Sequence, residues 1–121
     1  MVTATGHTQA IAASRVIGTD VYNMQGEHIG DIEDVMLDKT SSNIMFAVIS
    51  FGGFLGIGEK YHAIPWSSLD YDPERGGYVV PFTRQKLEAA PVYDLNDLTR
   101  QDGLEARDTS YEYYQISPYW I

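Results

Sequence analysis

The run Ile44-Met45-Phe46-Ala47-Val48-Ile49-Ser50-Phe51 decides the fold. It is β-branched, aromatic and apolar on both alternating faces, whereas a strand with one wet face would alternate. It therefore reads as the central buried strand of a sheet. Its apolar part, Ile44 to Ile49, falls far short of the roughly 20 residues that cross a bilayer, so no membrane insertion is expected. Upstream, the polar reversal from Lys39 to Asn43 connects it to Ile29 to Leu37, whose apolar phase runs Ile29, Ile32, Val35, Leu37. A strict period of two cannot join Ile32 to Val35, which predicts a bulge near Glu33 or Asp34. Asp34 is expected to turn inward there and accept the backbone amides that the bulge frees. Farther out, Val16, Ile17, Val21 and Tyr22 predict a first strand, and Asn23-Met24-Gln25-Gly26 the turn that follows.

Downstream, the glycine-rich loop Gly52 to Gly58 leads to Tyr61-His62-Ala63-Ile64-Pro65-Trp66, where proline ends pairing or marks an edge. Ser67-Ser68-Leu69 predicts one helical turn, and Asp72 to Gly77 a turn before Tyr78-Val79-Val80. Thr83 is placed to cap a short helix through Ala89 or Ala90, closed by Pro91. About six short strands joined by tight turns, with nothing of βαβ length between them, predict an all-β, small antiparallel barrel or sandwich.

The whole chain of 121 residues is 44% hydrophobic, enough for one packed domain. Seventeen acidic against eight basic side chains leave a net charge of −9. This argues against a nucleic-acid partner and against docking on anionic lipid, both of which need clustered Lys and Arg. With no cysteine, disulfides, thiolate metal sites and thiol nucleophiles are excluded. The opening MVTATGHTQAIAASR lacks the charged start and apolar run of a signal peptide, so a cytoplasmic location is expected.

Candidate chemistry is sparse. Gly52 to Lys60 imitates a phosphate cradle, but Glu59 precedes the lysine and Tyr61 stands where a hydroxyl should hold magnesium. His7, His28 and His62 fall into no metal-binding spacing. Asp70, Asp72 and Glu74 imitate the start of a calcium loop that Pro73 and Pro81 break. No G-x-S-x-G elbow occurs. The expectation is thus no catalytic residue, no cofactor and no metal. Asp31, Glu33 and Asp34 are structural or proton-handling carboxylates. Phe54, Leu55 and Ile57, apolar on a loop tip, either cover the barrel mouth or form a contact patch.

From Val92 onward Asp94, Asp97, Asp102, Glu105, Asp108 and Glu112 outnumber Arg100 and Arg107, and the same stretch holds Tyr93, Tyr111, Tyr113, Tyr114, Tyr119 and Trp120. Linkers are poor in aromatics, so this stretch should dock on something. A helix from roughly Thr109 to Gln115 would bury Tyr111, Tyr114 and Trp120 on its own barrel or on a neighbour's.

The run GGFLGIGEKYHAIPW (52–66), with VYNMQGEHIGDIEDVMLD (21–38), resembles the PRC-barrel family over roughly Ser14 to Leu87. That family is a small β-barrel module shared by the cytoplasmic part of the photosynthetic reaction-centre H subunit and the C-terminal domain of a ribosome maturation factor. YYQISPYW (113–120) is similar to the C-terminal extension of stand-alone bacterial members. The resemblance implies an antiparallel PRC-type β-barrel with a short helical, aromatic-rich C-terminal extension. It implies a docking role and carries no catalytic signature. The expected layout is a flexible arm over 1–13, the barrel over 14–90 and the extension over 91–121. The expected function is a non-catalytic protein-binding or scaffold module that self-associates through Phe54, Leu55, Ile57, Tyr111, Tyr114, Tyr119 and Trp120. One alternative is an accessory subunit of a membrane electron-transfer complex, since acidic barrel residues of the H subunit assist proton delivery to a quinone. The other is an enzyme of unknown chemistry, which would need a deep pocket with convergent polar groups.

Overall fold

The computed structural model describes residues 10–51 and 60–121. Their elements run α1 (Ala13–Val16), β1 (Asp20–Tyr22), β2 (His28–Asp38), β3 (Asn43–Phe51), β4 (His62–Pro65), a 3-10 turn (Trp66–Ser68), β5 (Asp70–Asp72), β6 (Gly77–Val79), α2 (Arg84–Glu88), α3 (Leu95–Thr99), a second 3-10 turn (Arg100–Gly103) and α4 (Leu104–Tyr114). The six strands form one sheet in the order β4-β3-β2-β1-β6-β5.

Three expectations about the strands and their sheet are corrected. First, the chain is not all-β, because α2, α3 and α4 follow the last strand and Val16 closes a helix rather than starting a strand. Ile17 is 45% exposed, and β1 begins only at Asp20. Second, the sheet is mostly rather than wholly antiparallel: β1 pairs with β6 in parallel, Val21 opposite Tyr78 and Tyr22 opposite Val79. Among the described residues β4 and β5 share no ladder, so the sheet is open. Its two edge strands are joined by Trp66–Ser68 instead. Third, β3 lies next to the edge, and β2 and β1 hold the central places.

The two-sided apolarity of β3 has a different cause. Ala47 and Ile49 enter the main core with Val21, Ile32, Ile64, Val80 and Leu87. Phe46 and Val48 enter a second core with Tyr61, Ala63, Leu98 and Ala106. Leu98 and Ala106 belong to α3 and α4, so the second face is covered by helices.

The bulge is where the apolar phase put it: Ile32 faces Ile49 and Asp34 faces Val48, leaving Glu33 as the extra residue. The Asp34 side chain does not turn inward. It is exposed and, among the described residues, accepts only the Val35 amide, at 2.8 Å. β2 and β3 approach so closely at Gly30 that a Cβ there would overlap the Ser50 carbonyl. Thr83 caps α2 by accepting the Lys86 amide at 3.1 Å. No helix among the described residues is long and apolar enough to cross a membrane.

Candidate binding surface

Asp94 opens α3 with a reciprocal cap, its carboxylate accepting the Asp97 amide at 2.8 Å while Asp97 accepts the Asp94 amide at 3.4 Å. Gln101, Asp102 and Gly103 then take positive φ in succession (52°, 59° and 83°), which reverses the chain. Gly103 rests on the sheet: a Cβ there would lie 3.4 Å from Met36 Cγ and 3.5 Å from Met45 Sδ.

Beyond this reversal α4 buries Ala106, Ser110, Tyr111 and Tyr114, which recur on one face at helical spacing. The Tyr111 hydroxyl donates to the Met45 carbonyl at 2.7 Å, and burial pushes its pKa up to about 12. Tyr114 packs on Phe82, ring centroids 4.4 Å apart, and its buried hydroxyl finds no partner among the described residues. Burial holds it un-ionised well above the ordinary tyrosine range. Tyr113 donates to the Lys86 carbonyl at 2.7 Å, tying α4 to α2.

Gln115, at φ 57°, ends α4 and turns the last residues back along it. Trp120 then lies 4.8 Å from the Tyr111 ring and under the Arg107 guanidinium, 3.6 Å from its centroid. Tyr119 donates to Asp38 Oδ2 at 2.7 Å, while Asp38 Oδ1 accepts the Thr40 amide at 2.9 Å and the Thr40 hydroxyl at 2.7 Å. These bonds, led by the Thr40 hydroxyl and Tyr119, hold the Asp38 carboxyl well below the usual carboxylate range.

The outer side of α4 carries two adjoining shallow grooves. One, of about 370 Å³, is lined by Asp108, Tyr111, Glu112, Gln115, Ile116, Pro118 and Trp120. The other, of about 290 Å³, is lined by Pro91, Asp108, Thr109, Glu112 and Tyr113. Asp108 and Glu112, one helical turn apart, are common to both and form an acidic ridge between apolar walls. Asp108 is met by its neighbour Arg107 at 3.0 Å.

Of the residues singled out in the sequence, Phe54, Leu55 and Ile57 lie outside the described residues. Tyr111 and Tyr114 are buried on the chain's own sheet, and Tyr119 and Trp120 are half-buried. Glu33 is exposed and accepts the Ser50 hydroxyl at 2.8 Å. Asp31 is half-buried and meets His28, as does Asp20. Asp31, Glu33 and Asp34 thus each have a different partner. Asp70 and Asp72 lie in β5, and Asp72 serves the next turn by accepting the Glu74 amide at 3.0 Å. His62 is fully buried, stacked on Phe51 with centroids 4.1 Å apart, and burial lowers its pKa to about 4. Sequence reasoning passed over Asp38 as one acidic residue in a crowded strand, and only its partners in the fold distinguish it.

A family model for the PRC-barrel domain matches residues 9–96. The match ends inside α3, so α4 and its grooves lie beyond it. No curated protein matches the chain.

Proposed function

This chain belongs to the PRC-barrel family, and from that membership we propose that it is a non-catalytic protein-binding module whose docking face is the outer side of α4. The observation that carries this reading is the acidic ridge of Asp108 and Glu112 set between apolar walls of Ile116, Pro118 and Trp120 on one side and Pro91 and Tyr113 on the other. Its occupant is a protein segment that offers a Lys or Arg flanked by apolar side chains. The frame is held in advance: Tyr111 is bonded to the sheet, Tyr113 to α2, and Trp120 is stacked under Arg107. Little ordering cost then falls on the binding step.

Self-association through the tail was expected because its aromatics needed cover. The fold supplies that cover within the chain for Tyr111 and Tyr114, and two copies each carrying −9 repel at low salt. A heterologous cationic partner suits the face better. Placing a photo-crosslinking amino acid at Glu112 of the full chain in its native cell tests this. Adducts with a second protein, lost in Asp108→Lys and weakened by salt, are expected. Adducts only with another copy of the chain, matched by a dimer in sedimentation, would replace this reading with self-association.

A further inference from the structure

We propose that Asp20, His28 and Asp31 form a binding site for one divalent transition-metal ion of the zinc class, on the outer face of the β1–β2 pair. Asp20 and Asp31 stand directly opposite each other in the ladder. Two carboxylates in that register repel, and the pair calls for a cation between them. His28, opposite Tyr22 on the same ladder, brings Nε2 to 3.1 Å from Asp20 Oδ1 and 3.2 Å from Asp31 Oδ1. All three ligand atoms lie within 4.8 Å of one another.

The spacing suits an ion. With metal–ligand bonds of about 2.05 Å, a nitrogen and an oxygen on one ion stand about 3.3 Å apart at the tetrahedral angle and about 2.9 Å apart at a right angle. Both observed nitrogen–oxygen distances fall between these values. A turn of one carboxylate closes the remaining oxygen–oxygen gap. The donor set decides the class: one imidazole beside two carboxylates favours zinc and its first-row neighbours over calcium and magnesium, which prefer oxygen alone. Two ionised carboxylates and a neutral imidazole also balance a double positive charge.

Each side chain is about half exposed, so an ion can enter and water can complete its shell. The support is firm. Tyr22 lies edge-on to His28, centroids 5.6 Å apart, and its hydroxyl sits 3.5 Å from Asp20 Oδ2. The Asp20 backbone is clamped against β6, where a Cβ on Gly77 would come within 2.5 Å of its carbonyl. The spacing 20, 28, 31 matches no metal motif because the site is assembled across two strands rather than along one.

Isothermal titration of the dialysed full chain with zinc chloride, in wild type, His28→Gln and Asp31→Asn, tests the site. One zinc ion per chain is expected, with affinity reduced at least about tenfold in both variants. Both positions are half exposed, and unchanged circular dichroism would show that the variants fold. In the wild type, zinc should shift the ring-proton resonances of His28 and spare those of His62. Absence of saturable binding, equal affinity in His28→Gln, or a shift confined to His7 or His62 would overturn the proposal.

Discussion

The Tyr119 hydroxyl donates to Asp38 Oδ2 at 2.7 Å, fastening the chain's last turn to the far end of β2 across 81 positions. Asp38 is only 7% exposed, and the bond adds to two that its Oδ1 accepts from Thr40. The end of the chain is thereby locked to the turn between β2 and β3.

Asp38→Ala should lower the denaturation midpoint, and Asp34→Ala should barely move it, because Asp34 is exposed and its bond is to its neighbour's amide. Combining Asp38→Ala with Tyr119→Phe should cost less than the sum of the two changes, since they remove the same bond. Strict additivity in urea denaturation would show that the contact contributes nothing. Because the Asp38 carboxyl is held below its ordinary range, its contribution is present above pH 4 and fades as pH falls below that range.

Two tyrosines on α4 should respond oppositely to loss of their hydroxyls. Tyr111→Phe strands the Met45 carbonyl and should cost about 1 to 2 kcal/mol. Tyr114→Phe removes a buried hydroxyl that has no partner among the described residues, and should be neutral or stabilising within about 1 kcal/mol. Equal losses for the two variants in chemical denaturation would contradict the bonding pattern.

His62 makes a second acid-sensitive element. Its folded pKa near 4 lies below the unfolded value near 6.5, so the unfolded chain binds the extra proton first. Stability from keeping it neutral is complete above pH 6.5 and is lost as pH falls toward 4. The loss amounts to about 3 kcal/mol over that window. His62→Leu should flatten this part of the stability profile. A wild-type profile already flat between pH 6.5 and 4 would rule the effect out.

Truncation after Ala90 should leave strand signal in circular dichroism but expose the Phe46 and Val48 face of β3. Tyr111 and Tyr114 alone each hide roughly 150 Å², several kcal/mol together at about 25 cal/mol per Å². That loss is comparable to the whole stability of a small domain. Aggregation or strong binding of a hydrophobic dye is the expected result. A soluble truncated chain with an unchanged midpoint would show that the helices contribute no cover.

What the sequence could determine by itself was whatever depends on neighbours along the chain. The broken phase between Ile32 and Val35 places a bulge because side chains alternate with a fixed period of two. Thr83 before a helix, and Asn23 with Gly26 in a turn, are local hydrogen-bonding choices, and Asn23 Oδ1 indeed accepts the Gln25 and Glu27 amides at 3.0 Å. The motifs of residues 21–38 and 52–66 carried the family, and the two-sided apolarity of β3 required cover on both faces.

Only the tertiary structure could decide what that cover was and which charges meet. An apolar face has no direction in it, so β3 could be central between strands or, as it is, beside the edge beneath α4. The parallel β1–β6 pair depends on a return of the chain that no local period records. Asp34 and Asp38 look alike in the sequence, and Asp38 is set apart by a tyrosine 81 positions away. Asp20 and Asp31 become neighbours of His28 only through strand register. Long-range contact is a property of the closed chain, since burial and charge pairing are fixed by distance in space and sequence separation leaves that distance undetermined.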